Sequence, residues 1–157
     1  MLKDYMYNDS KTFHIQKAST DETTHCSSKE DAEKKMAENE KKLDELQQKL
    51  YADKKEGLIV VFQAMDAAGK DGTIAHVLQC LSPHGVYEAA FKAPSSTELA
   101  HDFLWRIAQQ VPAKGEIAIF NRSHYEDVLI GKVKQLYKSQ AHAKRIKEDE
   151  IIERRYQ

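Results

Sequence analysis

The feature that most constrains the fold is a short apolar run followed directly by a glycine-containing loop and a helical pattern. The run LIVVFQ begins after Gly57, the loop AMDAAGKDGT covers residues 64–73, and the pattern TIAHVLQCL continues from Thr73. A short, β-branched apolar run is typical of a strand buried on both faces of a parallel sheet. We therefore predict a strand, a small-residue loop and a helix in that order.

Two further strands are predicted, and helices alternate with them. Residues 87–92 form one candidate strand, and EIAIF, after the turn at residues 112–115, forms the other. Ser95 or Ser96 can cap a helix between them that contains Leu99, Phe103, Leu104, Ile107 and Ala108. Another helix is predicted for NRSHYEDVLIGKV, which follows EIAIF. Strands that alternate with helices predict right-handed βαβ crossovers and hence an α/β fold with a parallel sheet.

The two ends of the chain differ from this central part. The first residues are polar and lack a hydrophobic period, so we expect a flexible N-terminal arm over 1–28 and one domain over 29–157. From Lys29 the composition predicts a helix with one apolar stripe, formed by Met36, Leu43, Leu46 and Leu50. Residues 141–157 can form one solvated helix with a narrow apolar face.

Composition excludes several classes of protein. With 24 Lys and Arg against 25 Asp and Glu, the chain lacks the basic excess that non-specific nucleic-acid binding needs, so no nucleic-acid partner is expected. Because no apolar run approaches bilayer length and residues 1–10 hold no signal core, we expect a cytoplasmic protein with no membrane partner. Cys26 and Cys80 show no CxxC or Cys/His spacing, which argues against a disulfide framework or a zinc site.

The loop after the first predicted strand has the position and composition of a phosphate-binding loop. Gly69 allows backbone N–H groups to turn towards phosphate oxygens, the helix N-terminus adds its positive dipole end, and Lys70 can reach a phosphate. The loop departs from the GxxxxGK[ST] pattern at Ala64, which stands at the first glycine, and at Asp71, which stands at the hydroxyl position. A tight turn with a solvated Lys70 is the structural alternative.

Asp66 is the residue of this loop that most favours a functional interpretation. A carboxylate inside the loop would repel bound phosphate unless a cation stood between them. We therefore interpret Asp66 as a Mg²⁺ ligand, or as the group that positions a phosphoryl acceptor. The structural alternative is that Asp66 caps the helix that follows.

A second candidate site begins where the EIAIF strand ends. Ligands of open parallel sheets bind beyond the carboxyl ends of the strands, so the two loops would converge there. Arg122 could bind two phosphoryl oxygens and stabilise the charge of transfer, or it could pair with Glu126 or Asp127 and anchor the helix. Asn121 could help to hold a hydrated metal ion. Ser123 is as good a candidate for an N-cap as for a catalytic hydroxyl.

Lys92, at the end of the middle strand, is a third cation that could join this group, and a solvated lysine is its alternative. The seven histidines show no paired ligand spacing, so neither metal–histidine nor histidine-activated nucleophilic chemistry is expected. Phosphoryl transfer depends on placement and charge neutralisation more than on a protein nucleophile. The cations and carboxylates of the two loops suit that demand.

Three segments in this order, LIVVFQAMDAAGKDGTI, FKAPSSTELAHDFLWR and IAIFNRSHYEDVL, resemble the polyphosphate kinase 2 family. The resemblance runs from Lys34 to the chain end and implies a P-loop kinase-like, three-layer α/β/α sandwich with a parallel sheet. It implies reversible, magnesium-dependent phosphoryl transfer between inorganic polyphosphate and a nucleoside mono- or diphosphate. Adenine nucleotides, ADP or AMP, would be the acceptors, Mg²⁺ the cofactor and a homo-oligomer the assembly.

The resemblance also assigns roles by matching position. Asp66 resembles the family's functional aspartate, and Asn121 and Arg122 align with its second motif. Together with the residue chemistry above, this predicts Asp66, Lys70 and Arg122 as catalytic residues, and Asp66 and Asn121 as metal ligands. The predicted phosphate-binding set consists of Ala68, Gly69, Lys70, Asp71, Gly72, Thr73 and Lys92.

The family continues beyond the positions of Arg154, Arg155 and Tyr156 with a basic lid and further strands. We therefore expect this chain to correspond to the N-terminal portion of such an enzyme, with a domain incomplete at its C-terminus. Without a lid, water would reach the transferring group. Two alternative functions are an inactive phosphate-binding or assembly fragment and a nucleotide kinase that uses ATP as its donor.

Overall fold

The computed structural model describes residues 5–7, 14–19, 23, 25–140 and 146–156. Part of the predicted N-terminal arm and the start of the predicted C-terminal helix, residues 141–145, therefore lie outside the described residues. The chain divides into two compact units, residues 1–39 and 40–157. Across the ranges that the structure describes, no helix has both the length and the apolar character needed to cross a membrane.

Helices and strands alternate along the described part of the chain. The strands are β1 (Leu58–Phe62), β2 (Val86–Ala90) and β3 (Ile117–Asn121). The α-helices are α1 (Lys29–Asp53), α2 (Lys70–Leu78), α3 (Ser96–Leu99), α4 (Trp105–Ala108), α5 (Gly131–Val133) and α6 (Ile151–Tyr156). A π-helical turn, Glu126–Ile130, leads into α5, and 3₁₀ turns cover Ile15–Lys17, Leu136–Ser139 and Glu148–Glu150.

Within the first unit, polar contacts fix the start of α1. The Ser28 hydroxyl accepts a hydrogen bond from the Asp31 N–H at 3.1 Å, as an N-cap does. The Asp31 carboxylate accepts from Lys35 at 2.8 Å, and this hydrogen bond holds the pKa of Asp31 below its usual value. The helix begins at Lys29, which confirms the predicted start.

The three strands of the second unit form one parallel sheet in the order β1-β3-β2. β3 lies in the middle, and its last residue, Asn121, stands opposite both Phe62 and Ala90. All three strands therefore end at the same edge of the sheet. This arrangement confirms the predicted α/β fold with a parallel sheet, although β2 begins and ends slightly earlier than predicted.

β3 supplies the core on both faces of the sheet. On one face, Phe120 packs with Phe91, and Ile107 of α4 packs against them. On the other face, Ile119 packs with Ile74 of α2. The first four residues of β3 are buried, so this strand has the two covered faces that its apolar sequence requires.

β1 is more exposed than its composition predicts. Leu58, Ile59 and Val61 are 48%, 40% and 41% exposed, whereas Val60 and Phe62 pack against the core around Ile74. The strand order explains the difference, because β1 lies at an edge of the sheet that the described residues form. The prediction of a strand is confirmed, and the prediction of burial on both of its faces is wrong.

The single helix predicted after β2 is two short helices. Ser95 caps α3 in a capping box: its hydroxyl accepts from the Glu98 N–H, and its own N–H donates to the Glu98 carboxylate. The chain leaves the helix after Leu99, and the Asp102 carboxylate then accepts from the Leu104 N–H at 3.0 Å. An Asp side chain that bonds to nearby N–H groups competes with helix formation. The cap at Ser95 is thus confirmed, and helical continuity to Ala108 is wrong.

Three other helical details correct the predictions. The helix after β3 begins with a π turn rather than an α turn. In the described residues 146–156, a 3₁₀ turn precedes α6, and Ile151 and Ile152 are buried, so this end is not one solvated helix. On α1, Leu46 is exposed, and Gln47 is buried instead because its amide donates to the His84 carbonyl at 2.8 Å.

Candidate phosphate-binding site

A cleft of about 350 Å³ opens at the edge where the strands end. It is lined by residues from the start of α2, from the end of β2 and the segment after it, and from the end of β3 and the position after it: Lys70, Asp71, Ala90, Phe91, Lys92, Ala93, Asn121 and Arg122. Because parallel strands share their polarity, residues that follow different strands meet at one edge. The structure therefore brings both predicted motifs and Lys92 together in one place.

The loop after β1 turns through left-handed backbone conformations. Ala67 has a φ of 63° and Gly69 a φ of 81°, a region that side chains with a Cβ rarely adopt. A Cβ added at Gly69 would meet no atom within 4 Å, so the glycine serves the backbone angle and not a close approach. Gly69 is the N-cap of α2, and no side chain caps this helix, so the alternative role of Asp66 as a cap is not observed.

Lys70 is held by the residues around it. Its ammonium donates to Asp71 Oδ1 at 2.6 Å and to the amide oxygen of Asn121. The Lys70 ammonium lowers the pKa of the Asp71 carboxyl below its usual range, and the Asn121 amide adds to this effect. The alternative of a freely solvated Lys70 is therefore not observed, since the second motif fixes its side chain.

Asn121 connects β3 with the elements on both sides of it. Besides accepting from Lys70, its side chain donates to Asp71 Oδ1 at 2.9 Å and to Glu88 Oε1 at 2.7 Å. Glu88 lies in the middle of β2, and the sequence analysis missed it. A single acidic residue within the otherwise apolar VYEAA strand was the available signal.

Arg122 joins the two predicted motifs. Its guanidinium pairs with Asp66 Oδ1 at 2.7 Å and with Glu126 Oε2 at 3.3 Å. Its backbone has a φ of 67°, and its N–H donates to the Phe62 carbonyl at 3.0 Å. Non-glycine residues in this conformation store strain and concentrate at functional sites. Of the two predicted helix-anchoring partners, Arg122 takes Glu126 and not Asp127.

The two predicted metal ligands have different partners. The Asp66 side chain is 87% exposed and contacts Arg122, whereas Asn121 lies within the hydrogen bonds to Lys70, Asp71 and Glu88. Among the described residues, no group of three or more His, Cys, Asp or Glu could hold a metal ion. An oxygen-only donor set with few protein ligands still fits Mg²⁺, which takes its other ligands from phosphate and water.

The remaining predicted residues take local roles. The Thr73 hydroxyl donates to the Gly69 carbonyl at 3.0 Å, within the first turn of α2. The Ser123 hydroxyl is buried and accepts from the Tyr125 N–H at 3.2 Å, which favours its role in a turn over a catalytic one. Ala68 and Gly72 are exposed next to Gly69 and Lys70. Their contacts to phosphate stay a prediction.

A buried ion pair joins α4 to the π turn after β3, and this pairing was not predicted from the sequence. Arg106 Nη2 and Asp127 Oδ2 are 3.0 Å apart, and their side chains are 7% and 9% exposed. Arg106 Nη1 donates to the carbonyl oxygen of Lys92 at 2.8 Å. Arg106 stands between Trp105 and Ile107 in a predicted apolar helix, and this position was the available signal.

Comparison with known proteins points to one family. The family model of polyphosphate kinase 2 matches residues 26–157. An AMP/ADP-polyphosphate phosphotransferase of Meiothermus ruber is 44% identical over 154 residues, which are 98% of this chain and 58% of that protein. An ADP-polyphosphate phosphotransferase of Rhodopseudomonas palustris is 54% identical over 92 residues, 59% of this chain and 32% of that protein.

The fold agrees as well. The crystal structure of polyphosphate kinase 2 from Arthrobacter aurescens TC1 matches with a TM-score of 0.80 and 40% identity, and the match covers 94% of this chain and 50% of that one. The chain thus spans about half the length of the relatives that it matches along nearly all of its own length. On the agreement of family model, fold and sequence identity, the chain belongs to the polyphosphate kinase 2 family.

Proposed function

We propose that this chain carries the phosphate-binding part of an enzyme that transfers a phosphoryl group between inorganic polyphosphate and a nucleoside mono- or diphosphate. The observation that carries the proposal is the cleft, where Lys70, Lys92 and Arg122 from three segments converge. The relatives support it, since they are named as phosphotransferases that use polyphosphate with AMP, ADP or GDP. We propose adenine nucleotides as the acceptors and a homo-oligomer as the working assembly.

The charges of the cleft suit a ligand that brings its own anionic oxygens. Lys70 and Arg122 are held by the carboxylates of Asp71 and Asp66, both of which are exposed. Such exposed pairs are weak because water screens them. Phosphate oxygens, which carry more charge and can accept both guanidinium N–H groups, would replace the carboxylates at little cost. The carboxylates thus keep the cations in place until phosphate arrives.

Each residue has a distinct part in the proposed transfer. The start of α2 offers the backbone N–H donors of residues 69–72, since those of Ala68 and Thr73 already bond the carbonyls of Met65 and Gly69. Lys70 would neutralise charge on the phosphate beside them. Arg122 would bind the phosphoryl group that moves and stabilise the charge that spreads over its oxygens. Asp66 and Asn121 would hold Mg²⁺, which when bound neutralises phosphate charge and aligns the phosphate oxygens.

The test is to incubate the purified chain with polyphosphate, Mg²⁺ and either ADP or AMP, and to measure ATP or ADP formation. We expect Lys70→Ala to lower the rate by about 100-fold, the usual effect of removing one electrostatic contact to the transition state. Lys114→Ala is the matched control, because Lys114 is an exposed lysine that precedes β3, at the opposite edge of the sheet.

Three outcomes separate the candidate functions. Product formation that needs polyphosphate and Lys70 supports the proposal. Binding of polyphosphate in calorimetry without product supports the phosphate-binding fragment instead. Product that forms with ATP as donor, and not with polyphosphate, supports the ATP-dependent nucleotide kinase.

A further inference from the structure

The buried ion pair of Arg106 and Asp127 connects the segments that follow β2 and β3. The guanidinium of Arg106 uses one terminal nitrogen for Asp127 Oδ2, at 3.0 Å, and the other for the Lys92 carbonyl, at 2.8 Å. Its carbon atom also lies 5.6 Å from the centre of the Phe91 ring. One buried side chain therefore fixes the end of β2 relative to the segment that follows β3.

Asp127 directly follows Glu126 in the π turn, and the two side chains accept hydrogen bonds from different residues. Glu126 accepts hydrogen bonds from Gln63 and from Arg122, and Arg122 lines the cleft. Asp127 accepts from Arg106 in the interior. Because adjacent residues share a peptide unit, fixing the Asp127 side chain limits where Glu126 can lie. π turns are rare in proteins overall, but those that occur are often found at functional sites. The π turn at this point therefore supports a functional role for this segment.

On the basis of the proposed function, we propose that Arg106 is a positioning residue for Arg122. It acts through Asp127 and the π turn on Glu126, which holds the Arg122 guanidinium at 3.3 Å. Arg106 itself does not line the cleft that holds Lys70 and Arg122. Arg106 also bonds the main chain of Lys92, which does line the cleft, so the part of its effect that passes through Arg122 has to be measured separately.

A structural role and a positioning role can be separated, because a buried ion pair is costly to desolvate. Replacing both partners with apolar residues of similar size often leaves stability unchanged or raises it, whereas removing one partner leaves a buried charge unpaired. A pair that serves stability alone is therefore replaceable by such a double substitution. A pair that positions Arg122 cannot be replaced in this way, since apolar residues cannot form hydrogen bonds to the Lys92 carbonyl and to the π turn.

The experiment measures polyphosphate binding by calorimetry, in the presence of Mg²⁺, together with urea unfolding. The variants are Arg106→Lys, Arg106→Met/Asp127→Leu, Arg122→Ala and Arg106→Lys/Arg122→Ala. We expect the Met/Leu double variant to unfold near the urea concentration of the unaltered chain and to bind about tenfold more weakly, a coupling usual within one hydrogen-bond network. Arg106→Lys keeps the positive charge but loses the two terminal guanidinium nitrogens that bond two partners at once, so it should also weaken polyphosphate binding.

The cycle with Arg122 decides the mechanism. If Arg106 acts through Arg122, Arg106→Lys should weaken binding in the unaltered chain and have less than a twofold further effect once Arg122 is alanine. Unchanged binding in Arg106→Lys or in the Met/Leu variant would overturn the inference, as would equal losses in both Arg122 backgrounds. Absence of binding by the unaltered chain would overturn the proposed function first and the inference with it.

Discussion

Two arginine–aspartate pairs link the loops of this protein, and they differ in almost everything except their length. Arg122 and Asp66 are 2.7 Å apart with side chains 38% and 87% exposed, whereas Arg106 and Asp127 are 3.0 Å apart and 7% and 9% exposed. Water screens the first pair, so it can open for a ligand at little cost. The second pair is buried, so it cannot lose one partner without leaving a charge in the interior.

The two segments that carry these pairs also differ in burial. From residue 63 to residue 69, the loop after β1 is exposed, and its Asp66 carboxylate pairs with Arg122, which lines the cleft. The segment after β3 is packed, with Ser123, Asp127 and Val128 buried, and it supplies a fixed frame. Arg122 stands where the two meet, with a strained backbone on the packed segment and a side chain that reaches the exposed loop.

The largest effect is expected when the buried pair loses one partner. Arg106→Met should lower the free energy of unfolding by about 3 kcal/mol, because the Asp127 carboxylate then loses its ion-pair partner and keeps the Gln140 amide as a hydrogen-bond donor. Urea unfolding followed by circular dichroism measures this difference. Adding Asp127→Leu to Arg106→Met should restore most of the loss. If Arg106→Met lowers the free energy of unfolding by less than about 1 kcal/mol, the buried pair contributes no more to stability than an exposed pair, which contradicts the expectation.

Removing one partner of the exposed pair should change stability little and the rate of phosphoryl transfer strongly. Asp66→Asn should change the free energy of unfolding by less than about 1 kcal/mol, because exposed pairs contribute little. The rate of phosphoryl transfer from polyphosphate should nevertheless fall by about 100-fold, since a charge next to the transferring group is lost. Asp53→Asn is the matched control, because Asp53 forms an exposed pair with Lys55 at the end of α1. A large loss of stability in Asp66→Asn would contradict the contrast between the two pairs.

A smaller effect is expected from the backbone of the exposed loop. Ala67 has a left-handed backbone, which costs a residue with a Cβ roughly 1 kcal/mol. Ala67→Gly should therefore raise the free energy of unfolding, by about 0.5 kcal/mol once the greater freedom of glycine in the unfolded chain is subtracted. Ala68→Gly is the control, since a glycine there relieves no strain and should lower stability. Equal effects of the two changes would show that the loop is not strained at Ala67.

The smallest effect is expected outside both pairs, at the capping box of α3. Hydrogen bonds from Ser95, first from its N–H, hold the pKa of Glu98 below its usual value. A lowered pKa means that the unfolded chain binds the proton more tightly, so this contribution to stability is present above the unfolded pKa and lost as pH falls through the folded one. Glu98→Gln keeps the cap and removes the charge. Unfolding measured between pH 7 and pH 3 should show a shallower acid loss in this variant.

Parts of the fold and site that depend on local sequence could be predicted. The strand–loop–helix at β1, the capping residue Ser95 and the start of α1 at Lys29 all follow from short patterns. Lys70 follows from the glycine-containing loop between a strand and a helix, and Arg122 follows because loops after parallel strands meet at one edge of the sheet.

Other features depend on contacts between distant residues, which no local pattern contains. The exposure of Leu58 and Ile59 follows from the place of β1 in the strand order. The pairing of Arg106 with Asp127 and of Glu88 with Asn121 depends on how loops pack together. The helix break at Asp102 results from one side-chain hydrogen bond that competes with the helix.

We propose that the loops after β1 and β3 bind one phosphate chain together. The most direct measurement of this shared binding is a nuclear magnetic resonance titration of the amide signals of the chain with short polyphosphate and Mg²⁺. We expect the signals from residues 66–73 and from Arg122 to shift together with one affinity, the Lys114 signal to stay unchanged, and Lys70→Ala to weaken binding as reported by both sets of signals. Shifts confined to one loop, or shifts that Lys70→Ala leaves unaltered, would contradict this proposal.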